Sequence, residues 1–318
     1  MKRFSFMTGL LVIVVMLVSV GLMPACGEKE PEKLRIGLLP IIDSLPFYVA
    51  EQEGYFKSEG VQVEFVTFSS ALERDTALQT GQVDGQLADL IASGLLNKDQ
   101  ERVKIVKTTY GATTQRAMIS LIAGPNSSIG SPADLRGKRI GISENSLIAY
   151  ITDELLATAG LSAKDVQKVS VPSIAVRMQM LTQGQLDAAT LPDPFAALAV
   201  QSGGRVVLSD SAERIGVSVL EFRKEVLEKQ KDAVRRLVRA HGKGVKAIKS
   251  SPEKYRPLLV EKARLPDAVK ESFAVPAFPE NTVPSKADVQ RAVDWMVKTG
   301  MLPKALAYEQ MVDTSLLR

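Results

Sequence analysis

Two residue types that dominate enzyme chemistry occur once each in this 318-residue chain, as Cys26 and His241. An intrachain disulfide needs two cysteines, and structural zinc usually takes four Cys or His ligands. Ser-His-Asp or Cys-His catalysis would rest on His241 alone. The sequence therefore assigns no catalytic residue and no metal set, and it calls for no cofactor. What remains is hydrogen-bonding chemistry. The candidates are Asp43, Ser44, Ser69, Ser70, Asp89, Tyr110, Ser143, Asn145, Ser146 and Asp193. Each stands just beyond an expected strand, and in open α/β sheets ligands bind beyond the carboxyl ends of strands. Helix N-termini there offer free N–H groups.

The elements that would position these residues alternate. Residues 34–39, 61–68, 83–87 and 103–109 read as strands, as do 117–123, 139–142, 166–171 and 187–191. Helices are expected over 46–57, 71–80, 88–96, about 146–159 and 174–182, with another starting near Asp193. Ser70 with Glu73 three residues on has the form of a capping box. Such β–α alternation implies parallel, helix-covered sheets. Beyond about 225 only helical patterning is expected. One echo runs through the chain: Leu78-x-x-Gly81-Gln82-Val83-Asp84 repeats as Leu181-x-x-Gly184-Gln185-Leu186-Asp187. It suggests two lobes of similar build, 34–114 plus 216–318 and 115–215.

At roughly 150 residues per domain, the length agrees with two domains. Charged residues are 24% and hydrophobic ones 45%, far from the composition of a disordered chain. The formal charge of +4 includes Lys2 and Arg3; residues 26–318 carry 38 Lys and Arg against 36 Asp and Glu. That near balance removes the compositional case for a nucleic-acid partner. From Phe4 to Met23 no residue is charged, and a basic start, an apolar core and a small residue before Cys26 have the shape of a signal peptide, 1–25. Ala25-Cys26 resembles a bacterial lipoprotein signal, with Cys26 lipid-modified and 26–33 a linker, although Met23 and Pro24 depart from the usual pattern and Leu22 lies four before the Cys. An uncleaved anchor and plain secretion are the competing readings. All three place the folded part outside the cytoplasm, in a bacterial periplasm or at the cell surface.

Three segments together resemble a known family. They are Pro46-Phe47-Tyr48-Val49-Ala50 with Glu53-Gly54-Tyr55-Phe56-Lys57-x-x-Gly60-Val61-x-Val63-Glu64; Asp134-Leu135-Arg136-Gly137-Lys138-Arg139-Ile140-Gly141; and Gly184-Gln185-Leu186-Asp187-Ala188 followed by Pro192-Asp193-Pro194-Phe195. They are similar to the exported solute-binding proteins of ABC importers for nitrate, sulfonates, taurine and thiamine precursors. The resemblance covers about 34–225. It implies an α/β, two-lobed periplasmic-binding-protein-like (type II) fold with a hinge, closing on a small ligand. It also implies a monomer that delivers its ligand to an ABC transporter permease from a lipid anchor in the membrane. A ligand sensor and an enzyme of cofactor-precursor metabolism are the alternatives on the same fold. Four acidic residues, Asp43, Asp89, Glu144 and Asp193, stand in the loops, with Arg74 and Arg116 the nearest bases. That balance favours a ligand with donors or positive charge, such as an aminopyrimidine or amine; a thiamine precursor, an amine and a sulfonate are the ligand classes considered.

Residues 231–264 hold eleven Lys and Arg and three Asp and Glu. Val234, Leu237, Val238, His241, Val245 and Ile248 form the apolar stripe of one amphipathic helix there. On that stripe His241 reads as a packed, hydrogen-bonded core residue, and the bases as a solvated face.

Overall fold

The computed structural model describes residues 33–317. The signal segment 1–25, Cys26 and all but the last residue of the linker 26–33 lie outside the described residues. The first half alternates β1 (Lys33–Leu38), α1 (Leu45–Gln52), α2 (Tyr55–Ser58), β2 (Gln62–Thr67), α3 (Ala71–Gln79), β3 (Gly85–Asp89), α4 (Leu90–Leu96) and β4 (Val103–Gly111). A second run follows: β5 (Ile119–Ala123), β6 (Arg139–Ile142), α5 (Leu147–Thr158), β7 (Gln167–Ser170), α6 (Ile174–Thr182), β8 (Ala188–Pro192), α7 (Phe195–Gln201) and β9 (Arg205–Ser209). The chain then returns through β10 (Val217–Arg223) to α8 (Lys224–Lys229), α9 (Lys231–Ser250), α10 (Arg256–Lys262), α11 (Lys286–Lys298) and α12 (Tyr308–Met311).

Two five-stranded sheets result, ordered β2-β1-β3-β10-β4 and β7-β6-β8-β5-β9. Their orders correspond, with β10 in the first taking the place of β5 in the second. Parallel pairing holds for β1 with β2 and β3, and for β6 with β7 and β8. β10 and β5 run antiparallel to both neighbours, so the sheets are mixed rather than parallel throughout. β9 and β10 were not expected from the alternation. β9 is a half-exposed edge strand, and β10 carries Ser218 and Glu221 in a strand buried from Val217 to Phe222. The C-terminal part is helical except for irregular stretches between α10 and α11 and between α11 and α12.

The internal echo is structural. Arg35, at the start of β1, bonds Asp84 through Nε and Nη2 at 3.2 and 3.0 Å and reaches the Gly81 carbonyl at 2.9 Å. Arg139, at the start of β6, bonds Asp187 at 3.1 and 3.0 Å and the Gly184 carbonyl at 3.2 Å. An arginine thus pins the turn before β3 to β1 in the first half and the turn before β8 to β6 in the second. One apolar cluster runs from the first half into the second, joining Ile42, Leu45 and Ile91 to Ile119, Leu147 and Tyr150. Helix α11 packs on α4 and also reaches α5, where Trp295 Nε1 donates to Asp153 Oδ2 at 3.1 Å and its ring lies 5.3 Å from Tyr150.

His241 is fully buried on α9, its ring 4.5 Å from that of Phe47. Unlike the sequence expectation, neither ring nitrogen has a hydrogen-bond partner among the described residues. The bases of α9 face outward, and several pair with neighbouring acids, Arg239 and Lys243 with Glu59 and Lys249 with Glu280.

Candidate ligand-binding cleft

A cavity of about 70 Å³ lies where the strand ends of the two sheets meet. The first half contributes Leu39, Ile41 and Asp43 after β1, Ala71 and Arg74 from α3, Leu87 to Asp89 from β3, and Ser218 from β10. From the second come Ile119, Ser143, Ser146 to Ile148, Pro172, Ile174, Arg177 and Pro192. Local chemistry sets the frame. Ser70 caps α3 by accepting from the Glu73 N–H at 3.2 Å. Asp89 Oδ1 accepts from the Ile91 and Ala92 N–H groups at 2.9 and 3.0 Å, capping α4. Ser146 Oγ accepts from the Ile148 N–H at 3.2 Å and donates to the Ser143 carbonyl at 2.7 Å. Side-chain caps of this kind satisfy N–H groups that a helix cannot satisfy itself. The first residues of α3, α5 and α6, namely Ala71, Leu147 and Ile174, border the cavity.

Of the ten candidates from the sequence, Asp43, Asp89, Ser143 and Ser146 line the cavity. Ser44 is fully buried and donates to the Ile41 carbonyl at 2.6 Å. Ser69 is exposed and bonded to Glu73, and Ser70 serves as the α3 cap beside the lining residue Ala71. Tyr110 packs against Phe278, their centroids 5.5 Å apart. Asn145 is exposed in a left-handed turn at φ 52°. Asp193 pairs with Arg116 at 3.5 Å and opens on a separate crevice with Ser120 and Phe273.

The charges differ from the expected set. Arg116 stacks over Phe273 instead of facing the cavity. Arg74 is buried, its guanidinium spent on Asp75 at 3.0 and 2.8 Å and on the Leu87 carbonyl at 2.7 Å, with Asp89 at 3.9 Å. The base that the sequence reading missed is Arg177. It is 0% exposed, its Nε and Nη1 donate to the carbonyls of Thr190 and Val171 at 3.0 and 2.7 Å, and its Nη2 has no partner. No carboxylate among the described residues pairs with it, and burial pushes its pKa down to about 10. Burial likewise pushes the Asp43 carboxyl up to about 6, against the pull of the Ser218 hydroxyl, which donates to Oδ2 at 2.6 Å. It raises Asp89 as well, in spite of Arg74.

A signal for Arg177 was present. Arg74 stands four residues before Leu78 and Arg177 four before Leu181, so the echo extends back to an arginine in each half. Each lies against a strand glycine, Gly37 of β1 for Arg74 and Gly141 of β6 for Arg177. A Cβ on Gly37 would stand 3.3 Å from Arg74 Cγ, and one on Gly141 would stand 3.1 Å from Arg177 Cγ.

A family model described as NMT1/THI5 like matches residues 41–255. The chain belongs to the NMT1/THI5-like family. A relative in Haemophilus influenzae named for thiamine biosynthesis is 30% identical over 173 residues, 53% of this chain; the match spans only 52%, about half, of that relative's length. A protein of Escherichia coli K12 named for binding aliphatic sulfonates is 26% identical over 310 residues, 93% of each chain. Among solved structures, the alkanesulfonate-binding protein SsuA from Xanthomonas axonopodis pv. citri, bound to MOPS, superposes with a TM-score of 0.76 at 21% identity, covering 90% of this chain and 99% of that one. A desulfurization enzyme, DSZB, shares the fold with a TM-score of 0.67 at 17% identity, over 90% of this chain and 97% of its own. The NMT1/THI5-like chain described here therefore has the two-lobed periplasmic-binding-protein fold that its sequence implied.

Proposed function

We propose that this chain is an exported substrate-binding lipoprotein that captures a small polar solute between its lobes and delivers it to the permease of an ABC importer. The observation that carries this reading is the cavity itself, built from the strand ends of both sheets around buried polar groups. Family membership supports it, as does the sulfonate-binding relative aligned over 93% of both chains. The lobes are 34–114 plus 216–318 and 115–215, with the hinge where the chain crosses between sheets, near 112–118 and 210–216. A ligand touching both walls favours the closed arrangement by its extra contacts there. Neither His nor Cys is among the lining residues, which favours capture over turnover on a fold that also carries an enzyme. Lipid on Cys26 would hold the monomeric binding unit at the membrane.

The test uses the full chain in mild detergent. A thermal-shift screen should find a solute that raises the melting temperature. Small-angle scattering should then show compaction on binding, and mass spectrometry should recover the solute unchanged. Conversion of the solute to product would replace this reading with an enzymatic one. Palmitate labelling should vanish in Cys26→Ser; labelling that persists would remove the lipoprotein assignment.

A further inference from the structure

The bases of α9 have no part in the cleft. That helix carries seven Lys and Arg and a single acid, Asp232. Arg235, Arg239, Lys243, Lys246 and Lys249 recur every three or four residues, so they share one face, turned away from the buried apolar stripe. Two further acids pair with this face among the described residues. Glu59 is shared by Arg239 and Lys243 at 2.8 and 2.7 Å, and Glu280 meets Lys249 at 2.7 Å. Seven bases against three acids leave a local charge of +4 along a helix about 30 Å long. The rest of 26–318 holds 31 bases and 33 acids, so the positive charge of that stretch is concentrated here.

The stripe begins at the end of lobe 1 where β1 starts. Lys33 opens β1 and stands in register with Gln62 of β2. Two residues before Gln62, the Gly60 carbonyl accepts from Arg236 Nη1 at 3.1 Å, and Glu59 holds Arg239 and Lys243. From Cys26 to Lys33 there are seven residue steps, at most about 25 Å of chain. A lipid on Cys26 would therefore keep this end of lobe 1 within that distance of a bilayer. Anionic headgroups attract clusters of bases that come within about a Debye length, about 8 Å. We infer, building on the lipoprotein reading above, that the exposed face of α9 is a bilayer-binding surface whose bases sit among anionic phospholipid headgroups beside the lipid anchor. The helix then lies along the membrane and fixes how lobe 1 is turned towards it, which a lipid on a linker cannot do alone.

Lysine acetylation read by mass spectrometry tests this on the full chain, carried on vesicles of phosphatidylcholine alone or with about 30% phosphatidylglycerol. A lipid anchor holds the chain equally to both, so only seating on the headgroups differs. Lys243, Lys246 and Lys249 should react about fivefold more slowly on the anionic vesicles. They should recover at about 1 M salt, where the Debye length falls to about 3 Å. Lys164 in lobe 2 and Lys298 on α11, both exposed, should react alike on the two vesicles. Arg239→Gln combined with Lys246→Gln, both exposed, should return Lys243 and Lys249 to their rates on phosphatidylcholine. Equal rates for the three lysines on both vesicles overturn the inference. So does slowing that requires the cell's membrane proteins in the vesicles, which would give the stripe to a protein partner. Palmitate labelling reports the anchor separately. A labelled chain with equal rates removes the α9 surface and leaves the lipoprotein standing. An unlabelled chain that binds only the anionic vesicles, with the three lysines slowed, removes the lipoprotein and keeps the α9 surface.

Discussion

Glu221 stands in the middle of β10 with its carboxyl group fully buried. Its Oε1 accepts from Gln86 Nε2 at 2.7 Å, and the Ser93 hydroxyl bonds Oε2. Burial, reinforced by the nearby charge of Asp75, pushes its pKa from 4.5 up to about 8. Between those values the folded chain holds a proton that the unfolded chain has released. The stabilisation is therefore complete below the unfolded pKa and is lost as pH rises through the folded one. Each pH unit inside the window is worth about 1.4 kcal/mol. From pH 6.5 to 8 the native protein should lose about 2 kcal/mol through this residue. Glu221→Gln removes the titration and keeps both contacts, its amide oxygen accepting from Gln86 and its amide nitrogen donating to Ser93. Urea unfolding followed by the fluorescence of Trp295, the single tryptophan, measures both proteins at the two pH values. The gap between them should widen by about 2 kcal/mol from pH 6.5 to pH 8, in favour of the variant. Every other titrating group is common to both and cancels in the difference. Parallel pH profiles would refute the reasoning.

Burial, with a small contribution from Lys107, holds His241 well below 6.5, so the native chain gives up stability as pH falls beneath that value. The gap between His241→Leu and the native protein should shift by about 2 kcal/mol in favour of the variant from pH 7 to pH 5; equal acid sensitivity would count against it. Helix α9 rests on α1 so closely that a Cβ on Gly244 would stand 2.5 Å from the Pro46 carbonyl oxygen. Gly244→Ala should cost about 1–3 kcal/mol in denaturant unfolding, and a neutral result would contradict that approach. A Cβ on Gly141 would meet Leu186 Cδ1 at 2.5 Å and Arg177 Cγ at 3.1 Å. Gly141→Ala should therefore weaken binding of any ligand held by Arg177 by about tenfold or more, as calorimetry would show.

Local signals were the readable ones. Ser70 and Ser146 cap α3 and α5 as their sequences indicate, because a cap and its N–H groups lie within one turn. The alternation up to β8 was likewise visible, since each element buries its own apolar face. What escaped depends on distant partners. β10 pairs with β3 and β4 across a long sequence separation, and nothing local marks that pairing. Arg177 in isolation reads as one more helix-surface arginine; only the bare Cα of Gly141 gives its stem a path into the interior. His241 shows the converse. Its stripe was clear, but periodicity says nothing about whether two ring nitrogens find donors or acceptors.

The position of β10 also fixes an order of events. All five strands of the second sheet lie within 119–209, one uninterrupted stretch of chain. The first sheet has β10 between β3 and β4, and that strand is synthesised only after the second sheet is complete. A chain growing from its N-terminus therefore carries β1 to β3 and a separate β4, each with an open edge, while the second half closes first. Open edges invite pairing with other chains. The half made earliest is thus the last to be sealed, and the interval between residues 111 and 217 is when a nascent copy is most exposed to wrong partners.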